Sequence, residues 1–203
     1  MSTEPLLAVR GVSHGVLNDV DLESGPGRMI ALTGHSGSGK STLCHLVAGL
    51  ERPTRGTVTL AGVPTVDVTD WSRIAVVPQR LALLEQLTAR ENLALAVLAS
   101  GQEVEPDAVT ALLDSLGVGV LANRLVGEGS IGEQQRIAVA RALVLGAALI
   151  VLDEPTAHQD DESAARVIAA ITTVVEAGAL VVISTHDPRL LERSSSRLAL
   201  GSG

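Results

Sequence analysis

A glycine-rich segment carries the clearest chemical signal in the sequence. Residues 34–41 match the pattern G-x-x-x-x-G-K-[ST], and Thr42 follows directly. The glycines let the backbone turn so that successive N–H groups face a polyphosphate. Lys40 can then reach the terminal phosphates, and the Ser41 hydroxyl can bind Mg²⁺. The segment therefore predicts a nucleotide-binding loop made of Gly34, His35, Ser36, Gly37, Ser38, Gly39, Lys40, Ser41 and Thr42.

The elements on both sides of this segment fit that role. The apolar run 29–33 is typical of a buried strand, and apolar residues recur at helical spacing over 43–50. A helix that begins at the loop adds its partial positive charge beside a bound phosphate. Lys40 is also the only lysine among 15 Lys and Arg residues. A slim ammonium on a flexible stem suits a phosphate at this position better than a planar guanidinium does.

An acidic pair after a second apolar run is the next candidate. The run 149–152 is followed directly by Asp153 and Glu154. In parallel sheets, ligands bind beyond the carboxyl ends of the strands. We therefore expect Asp153 to hold Mg²⁺, directly or through water, and Glu154 to polarise an attacking water. The structural alternative is that the acidic pair only opens the next turn and helix.

Composition and charge exclude several classes of protein. The chain has 203 residues and a formal net charge of −8, which argues against a nucleic-acid-binding surface. It is 46% hydrophobic, yet it contains no uncharged apolar stretch of about 18 residues. Since the sequence also opens without a typical signal peptide, we expect a soluble, cytosolic chain. The single cysteine, Cys44, permits no internal disulfide and is interpreted as a core residue.

Strand patterns predict two kinds of sheet. Short strands at 6–9 and 16–22 around a turn at 13–15, followed by an alternating segment at 57–60, indicate a small antiparallel sheet beside the nucleotide site. Residues 74–77 have the pattern of another buried strand. The near-continuous apolar runs 149–152 and 180–183 are typical of a parallel sheet that is covered on both faces. A crossover helix is predicted between these two runs, over 162–177.

The middle of the chain is helical in character. Residues 88–91 form a capping-box pattern, and helical periods follow over 107–116 and 133–145. We therefore predict an α/β protein whose nucleotide-binding core carries an N-terminal antiparallel β subdomain and a helical insertion. The predicted single domain spans 1–203, with the β subdomain and core at about 1–79 and 146–203 and the helical subdomain at about 80–145.

The order of five motifs resembles that of the ATP-binding cassette (ABC) ATPases. The motifs are the phosphate loop, Pro78-Gln79, residues 130–136, residues 153–156 and residues 184–187. The resemblance extends from about residue 6 to residue 197 and implies a P-loop NTPase core with a mainly parallel sheet. It also implies that Gln79 links the Mg²⁺ and water site to the helical subdomain, that Asp160 lies in a loop reaching a second subunit, and that His186 touches the γ-phosphate. The local alternatives are that Gln79 is only a strand-end polar residue, Asp160 a helix cap and His186 a turn residue.

The resemblance further implies a set of functional residues and cofactors. The cofactors are ATP and Mg²⁺. The implied catalytic residues are Lys40, Gln79, Glu154 and His186, and the implied metal ligands are Ser41, Gln79 and Asp153. Many members stack adenine on an aromatic side chain, and His14 looks equivalent here. The alternative for His14 is a solvated loop residue.

The same resemblance implies a head-to-tail dimer. In this dimer, the signature segment of a partner (residues 129–133) completes the ATP site of each subunit. The partner is either a second copy or another ABC ATPase subunit. Here Ser130 and Gly132 would meet the partner's γ-phosphate. Ile131 stands where the family commonly has glycine, which predicts a weaker site. The alternative is that Ser130 and Glu133 form a capping box that only starts the helix.

The implied function is an ATP-hydrolysing subunit that powers transport through separate transmembrane subunits, held by them at the inner face of the cell membrane. Residues 81–87 are the apolar candidate for the docking surface. The run 87–93 resembles cassettes of the lipoprotein-release and antimicrobial-export type. No nucleic-acid partner is expected. The alternatives are a non-transport ABC ATPase in DNA repair or translation, and a small-molecule kinase with a phosphate loop.

Overall fold

The computed structural model describes residues 5–70 and 72–201, and it arranges them around two β-sheets. In chain order the strands and helices are β1 (Leu7–His14), β2 (Leu17–Ser24), β3 (Met29–Thr33), α1 (Lys40–Val47), β4 (Arg55–Leu60), β5 (Val63–Pro64), β6 (Ile74–Val77), α2 (Ala89–Ala99), α3 (Pro106–Ser115), α4 (Ile131–Leu143), β7 (Leu149–Asp153), α5 (Asp161–Glu176), β8 (Leu180–Ser184), α6 (Pro188–Arg193) and β9 (Ser196–Ala199). None of the helices in the described ranges is long and apolar enough to cross a membrane.

The larger sheet is parallel throughout and has the strand order β6-β7-β8-β3-β9. Every residue of β7 and β8 is buried, because helices cover both faces. Successive side chains of β7 enter opposite cores: Leu149 and Val151 pack towards α1, whereas Ile150 and Leu152 pack towards α2–α5. The buried apolar runs that predicted these strands are thus confirmed.

The smaller sheet is antiparallel, with the order β2-β1-β4-β5. β1 pairs with both β2 and β4, and its apolar residues share a core with α1 and with one face of the parallel sheet. The α/β class, the parallel core and the N-terminal antiparallel sheet predicted from the sequence are confirmed.

At two element boundaries, the difference from the prediction has an identifiable local cause. β1 continues past Val9 to His14, because Gly11 adopts a left-handed φ of 57° at a shift in strand register and its N–H bonds to Asp21 at 2.8 Å. The helix predicted from residue 133 begins at Ile131, because Ser130 caps it. Gly11 and Ser130 were visible in the sequence, but both interrupt the apolar periodicity from which the strand and the helix were predicted.

The strand order explains how distant motifs meet. β6, β7 and β8 run parallel to β3, so their carboxyl ends lie along the same edge of the sheet as the loop between β3 and α1. Side chains that follow any of these strands therefore approach that loop.

A buried asparagine holds the segment that precedes α2. The Asn92 side chain is 2% exposed. Its oxygen accepts a hydrogen bond from the N–H of Leu84 (2.9 Å), and its amide donates to the carbonyls of Leu84 and Thr88 (3.0 Å each). The Thr88 hydroxyl and the Glu91 carboxylate complete the predicted capping box at the start of α2. Residues 84–88 are thereby fixed to the helix.

We predict that Asn92→Ala lowers the free energy of unfolding by about 2 to 3 kcal/mol, because buried backbone groups lose their partners. Urea unfolding followed by circular dichroism measures this loss. Asn123→Ala is the matched control: its side chain is exposed, and the variant should stay within about 0.5 kcal/mol of the parent. Equal stability of the two variants would contradict this account of Asn92.

Candidate nucleotide-binding and catalytic site

The loop between β3 and α1 requires glycine at three positions. Gly34, Gly37 and Gly39 have φ values of 144°, 80° and 99°. A Cβ at Gly34 would lie 2.5 Å from the carbonyl oxygen of Leu200, and a Cβ at Gly39 would lie 2.5 Å from Cδ2 of Leu17. Gly39 is the N-cap of α1 and supplies no side-chain cap. The first N–H groups of the helix therefore remain available to an anion.

The Lys40 side chain folds back over this loop. It is only 9% exposed, and its ammonium donates hydrogen bonds to the carbonyls of Gly34 (2.8 Å) and His35 (3.1 Å). Two of its three N–H groups are used in this way. The ammonium is thus held in the curve of the loop.

The acidic pair lies at the end of β7, as expected. Asp153 is 3% exposed, and its Oδ2 atom is buried without a hydrogen-bond partner among the described residues. Glu154 has a left-handed φ of 52°, and its N–H donates to the carbonyl of Ser184 at 2.9 Å. This backbone conformation is uncommon outside glycine. It breaks the alternation of the strand, so the two successive carboxylates both face the cavity described below.

Glu154 and His186 lie close together at this edge of the sheet. Oε1 of Glu154 lies 3.6 Å from Nε2 of His186. Burial raises the pKa of the Glu154 carboxyl above its ordinary value, and the nearby His186 ring opposes that rise. A half-buried carboxyl with a raised pKa is suited to exchange a proton with water.

One open cavity of about 490 Å³ brings these groups together. Its lining comes from the phosphate loop, from the ends of β6, β7 and β8, and from the turn between β1 and β2. The residues are Gly15, Val16, Ser36, Gly37, Gly39, Lys40, Ser41, Thr42, Gln79, Asp153, Glu154, Ser184 and His186. The hydroxyl of Ser41 and the unpartnered oxygen of Asp153 are hard oxygen ligands of the kind that Mg²⁺ prefers, so the site fits that ion.

His14 is placed differently from the expectation. Its Nδ1 lies 3.1 Å from the hydroxyl of Thr54, and its Nε2 lies 3.3 Å from Oε2 of Glu51. Among the described residues, the cavity lining includes the next two residues along the chain but not His14. Stacking of a base on His14 stays a prediction; in this arrangement the ring contacts Thr54 and Glu51.

Ser130 and Gly132 lie at the start of α4 and, within the described chain, outside the cavity of their own subunit. The Ser130 hydroxyl accepts a hydrogen bond from the N–H of Glu133 (3.3 Å), and the Glu133 carboxylate accepts one from the N–H of Ser130 (2.7 Å). The capping box is thus present. Ile131, the first residue of the helix, is 63% exposed.

Asp160 also caps a helix, since its carboxylate accepts a hydrogen bond from the N–H of Ser163 at 2.7 Å at the start of α5.

Gln135 is a neighbour of the site that sequence reasoning missed. It is 5% exposed, and its amide approaches the carbonyl of Glu154 at 3.4 Å. Its position next to the signature segment was the available signal. Val16 gave no signal, because an isolated valine in a turn has no chemical pattern.

Comparison with known proteins agrees with these motifs. The family profile described as ABC transporter matches residues 17–157. A lipoprotein-releasing system ATP-binding protein, LolD, from Anaeromyxobacter dehalogenans is 39% identical over 199 residues, which cover 93% of this chain and 83% of the relative. A macrolide export ATP-binding/permease protein, MacB, from Agrobacterium fabrum is 33% identical over 99% of this chain and 34% of its own length.

Solved structures give the same result. A dimeric ATP-binding cassette in a post-hydrolysis state, bound to ADP and Pi, superposes with a TM-score of 0.87 at 27% identity, covering 96% of this chain and 94% of that one. The family predicted from the order of the motifs is confirmed, and the kinase alternative is set aside. The matched profile, the relatives and the site geometry together show that the chain belongs to the ABC transporter family, as an ATPase.

Proposed function

We propose that this subunit binds MgATP in the cavity at the end of β3 and hydrolyses it between two cassettes, so that closing and reopening of the dimer drives transport. The observation that carries the proposal is the convergence of Lys40, Asp153, Glu154 and His186 on one cavity. These residues come from the ends of three different strands. Together they supply an ammonium, two carboxylates and an imidazole, the kinds of group that phosphoryl transfer requires.

The phosphate loop would hold the triphosphate. The N–H groups of residues 34–42 and the start of α1 would face the β- and γ-phosphates. The ammonium of Lys40 has a third N–H beyond the two that bond the loop, and it would be directed to the phosphate oxygens. Because the loop is already curved around the ammonium, little rearrangement is needed on binding.

Ser41, Asp153 and Gln79 would hold Mg²⁺ together with phosphate oxygens. The Ser41 hydroxyl would bind the ion directly, and Asp153 would do so directly or through water. The ion neutralises charge on the phosphates when it is bound. The unpartnered Oδ2 of Asp153 supports this assignment, because a buried carboxylate oxygen without a partner is costly unless a cation or water satisfies it.

Glu154 would act on the attacking water, and His186 would contact the γ-phosphate. The raised pKa of Glu154 brings its basicity closer to that needed to accept a proton from water. His186 is 63% exposed, so its ring is free to turn from the glutamate to a phosphate. Gln79, which follows β6, would report the state of this site to residues 80–145, the proposed helical subdomain.

A second cassette would complete the site through the start of its α4. Ser130 offers a hydroxyl and Gly132 a bare backbone at a helix N-terminus, which attracts anions. Asp160, at the neighbouring helix cap, would lie at the same interface. The partner is either a second copy or another ABC ATPase subunit. The dimeric arrangement of the structural neighbour supports this geometry.

The transmembrane partners would dock near residues 81–87. The Arg141 guanidinium on α4 donates hydrogen bonds to the carbonyls of Leu81 (2.9 Å) and Ala82, which ties this segment to the helix that carries the signature residues. Leu84 is 45% exposed there. The LolD and MacB relatives support a role in lipoprotein release or macrolide-type export, with this subunit held at the inner face of the membrane.

We predict that Glu154→Gln keeps the affinity for MgATP but lowers turnover by about 100-fold or more, because the amide cannot accept the proton. Phosphate release measures turnover, and equilibrium binding of ATP measures affinity. Glu176→Gln, an exposed substitution on α5, is the matched control and should retain the parent rate. Unchanged turnover in Glu154→Gln would remove Glu154 from the proposed mechanism.

We also predict that Ile131→Gly raises the ATPase rate several-fold, because the exposed branched side chain would no longer separate the helix N-terminus from the partner's γ-phosphate. Ile131→Val keeps the branch and should stay at the parent rate. The rates are compared at concentrations that favour the dimer. If Ile131→Gly and Ile131→Val have the same rate, the first turn of α4 serves only as a capped helix end.

A further inference from the structure

The last residue of β8 is a buried serine to which the proposed chemistry gives no role. Residues 180–183 of this strand are all apolar, and Ser184 follows them. Ser184 is 1% exposed, and its hydroxyl makes no hydrogen bond with any described residue. A buried hydroxyl without a partner destabilises a fold, so an apolar side chain would suit this position better. Because Ser184 lines the nucleotide cavity, its hydroxyl points to a partner that binds there.

The register of the parallel sheet places Ser184 beside Asp153. The two residues are paired across β7 and β8, and neighbouring strands lie about 4.8 Å apart. Side chains alternate between the two faces of a strand, so residues two and four positions earlier share the face of each. Those residues belong to the core that packs on α1, and they are Leu149, Val151, Leu180 and Val182. The carboxylate of Asp153 and the hydroxyl of Ser184 therefore both face α1.

The other neighbours of Ser184 offer little for its hydroxyl to bind. On the opposite side, its register partner in β3 is Leu32, which is 0% exposed. Cys44 of α1 packs against the same place. Burial raises the pKa of the Cys44 thiol well above its ordinary value, and the nearby Asp153 carboxylate raises it further. The thiol is therefore neutral and only a weak hydrogen-bonding group. Asp153 and the cavity are the polar surroundings that remain.

Asp153 itself presents a second oxygen in need of a partner. Its Oδ2 is buried and, among the described residues, accepts no hydrogen bond. The carboxylate oxygen and the hydroxyl oxygen of Ser184 can both be satisfied by one small group with two O–H donors, which is a water molecule. Mg²⁺ usually keeps several of its waters when it binds to a protein, and each such water has two O–H groups to donate. The pair of oxygens thus matches a hydrated magnesium ion.

We infer that Ser184 is a positioning residue for Mg²⁺: its hydroxyl and Oδ2 of Asp153 together hold one water of the ion's hydration shell. This inference rests on the proposed function, in which the cavity binds MgATP. Ser184 fixes the water, and through it the ion, without touching the triphosphate. Loss of the hydroxyl therefore weakens the contribution of Mg²⁺ to binding and leaves metal-free binding of ATP unchanged.

Equilibrium binding of ATP to the full chain, in EDTA and in excess Mg²⁺, tests this inference. The ratio of the two dissociation constants measures how much Mg²⁺ strengthens ATP binding. Ser184→Ala should lower this ratio by about tenfold and leave the constant in EDTA unchanged, since residues that orient metal ligands typically contribute about 10- to 100-fold to metal affinity.

Ser24→Ala is the matched control for this measurement. Ser24 also ends a strand and is 8% exposed, but its hydroxyl donates to the carbonyl of Gly25. Among the described residues it lies outside the cavity lining, so the variant should keep the parent ratio. Equal ratios in Ser184→Ala and Ser24→Ala would overturn the inference and leave the proposed MgATP site intact. A parent chain that binds no ATP, or binds it equally with and without Mg²⁺, would overturn the proposed site and the inference with it.

Thermal unfolding distinguishes this role from a purely structural one. Without metal and nucleotide, Ser184→Ala should have a Tm no more than about 2 °C below that of the parent, because the lost hydroxyl had no protein partner. MgATP should raise the Tm of the variant less than it raises that of the parent. A larger loss of Tm in the metal-free variant, with an equal rise on addition of MgATP, would overturn the inference.

Discussion

A buried ammonium inside a curved loop is the constraint on which the rest of this structure depends. Lys40 is bonded to the carbonyls of Gly34 and His35, which carry only partial charges. These carbonyls do not neutralise the ammonium, so it can still pair with an anion at the helix end, which itself favours anions. The strand order then brings Asp153 and Glu154 to the same cavity. A triphosphate with its cation can satisfy the ammonium and the unpartnered carboxylate oxygen together.

The fold was largely predictable because its central strands are buried on both faces. Apolar runs such as 149–152 and 180–183 leave no other interpretation once short strands alternate with helices. Prediction failed where a local feature interrupts the pattern. Gly11 lies beyond the strand predicted at 6–9, yet it forms a bulge within β1. Ser130 was a recognisable cap, yet the helix was predicted to start at Glu133, two residues late.

The catalytic edge was predictable for a topological reason. Carboxyl ends of parallel strands meet at one edge, so residues more than a hundred positions apart could be assigned to a common site without coordinates. His14 shows where this reasoning ends. The direction of a side chain in a turn depends on partners from elsewhere in the chain, here Glu51 and Thr54. No local pattern encodes those contacts, and for the same reason Val16 was not recognised as a wall of the site.

The most direct test of the central claim uses the fact that Lys40 is the only lysine in the chain. An amine-selective reagent labels Lys40 and the N-terminal amine, and mass spectrometry measures both rates in one sample. The account predicts that MgATP slows labelling of Lys40 while labelling of the N-terminus continues at its own rate. Equal labelling of Lys40 with and without saturating MgATP would contradict the account.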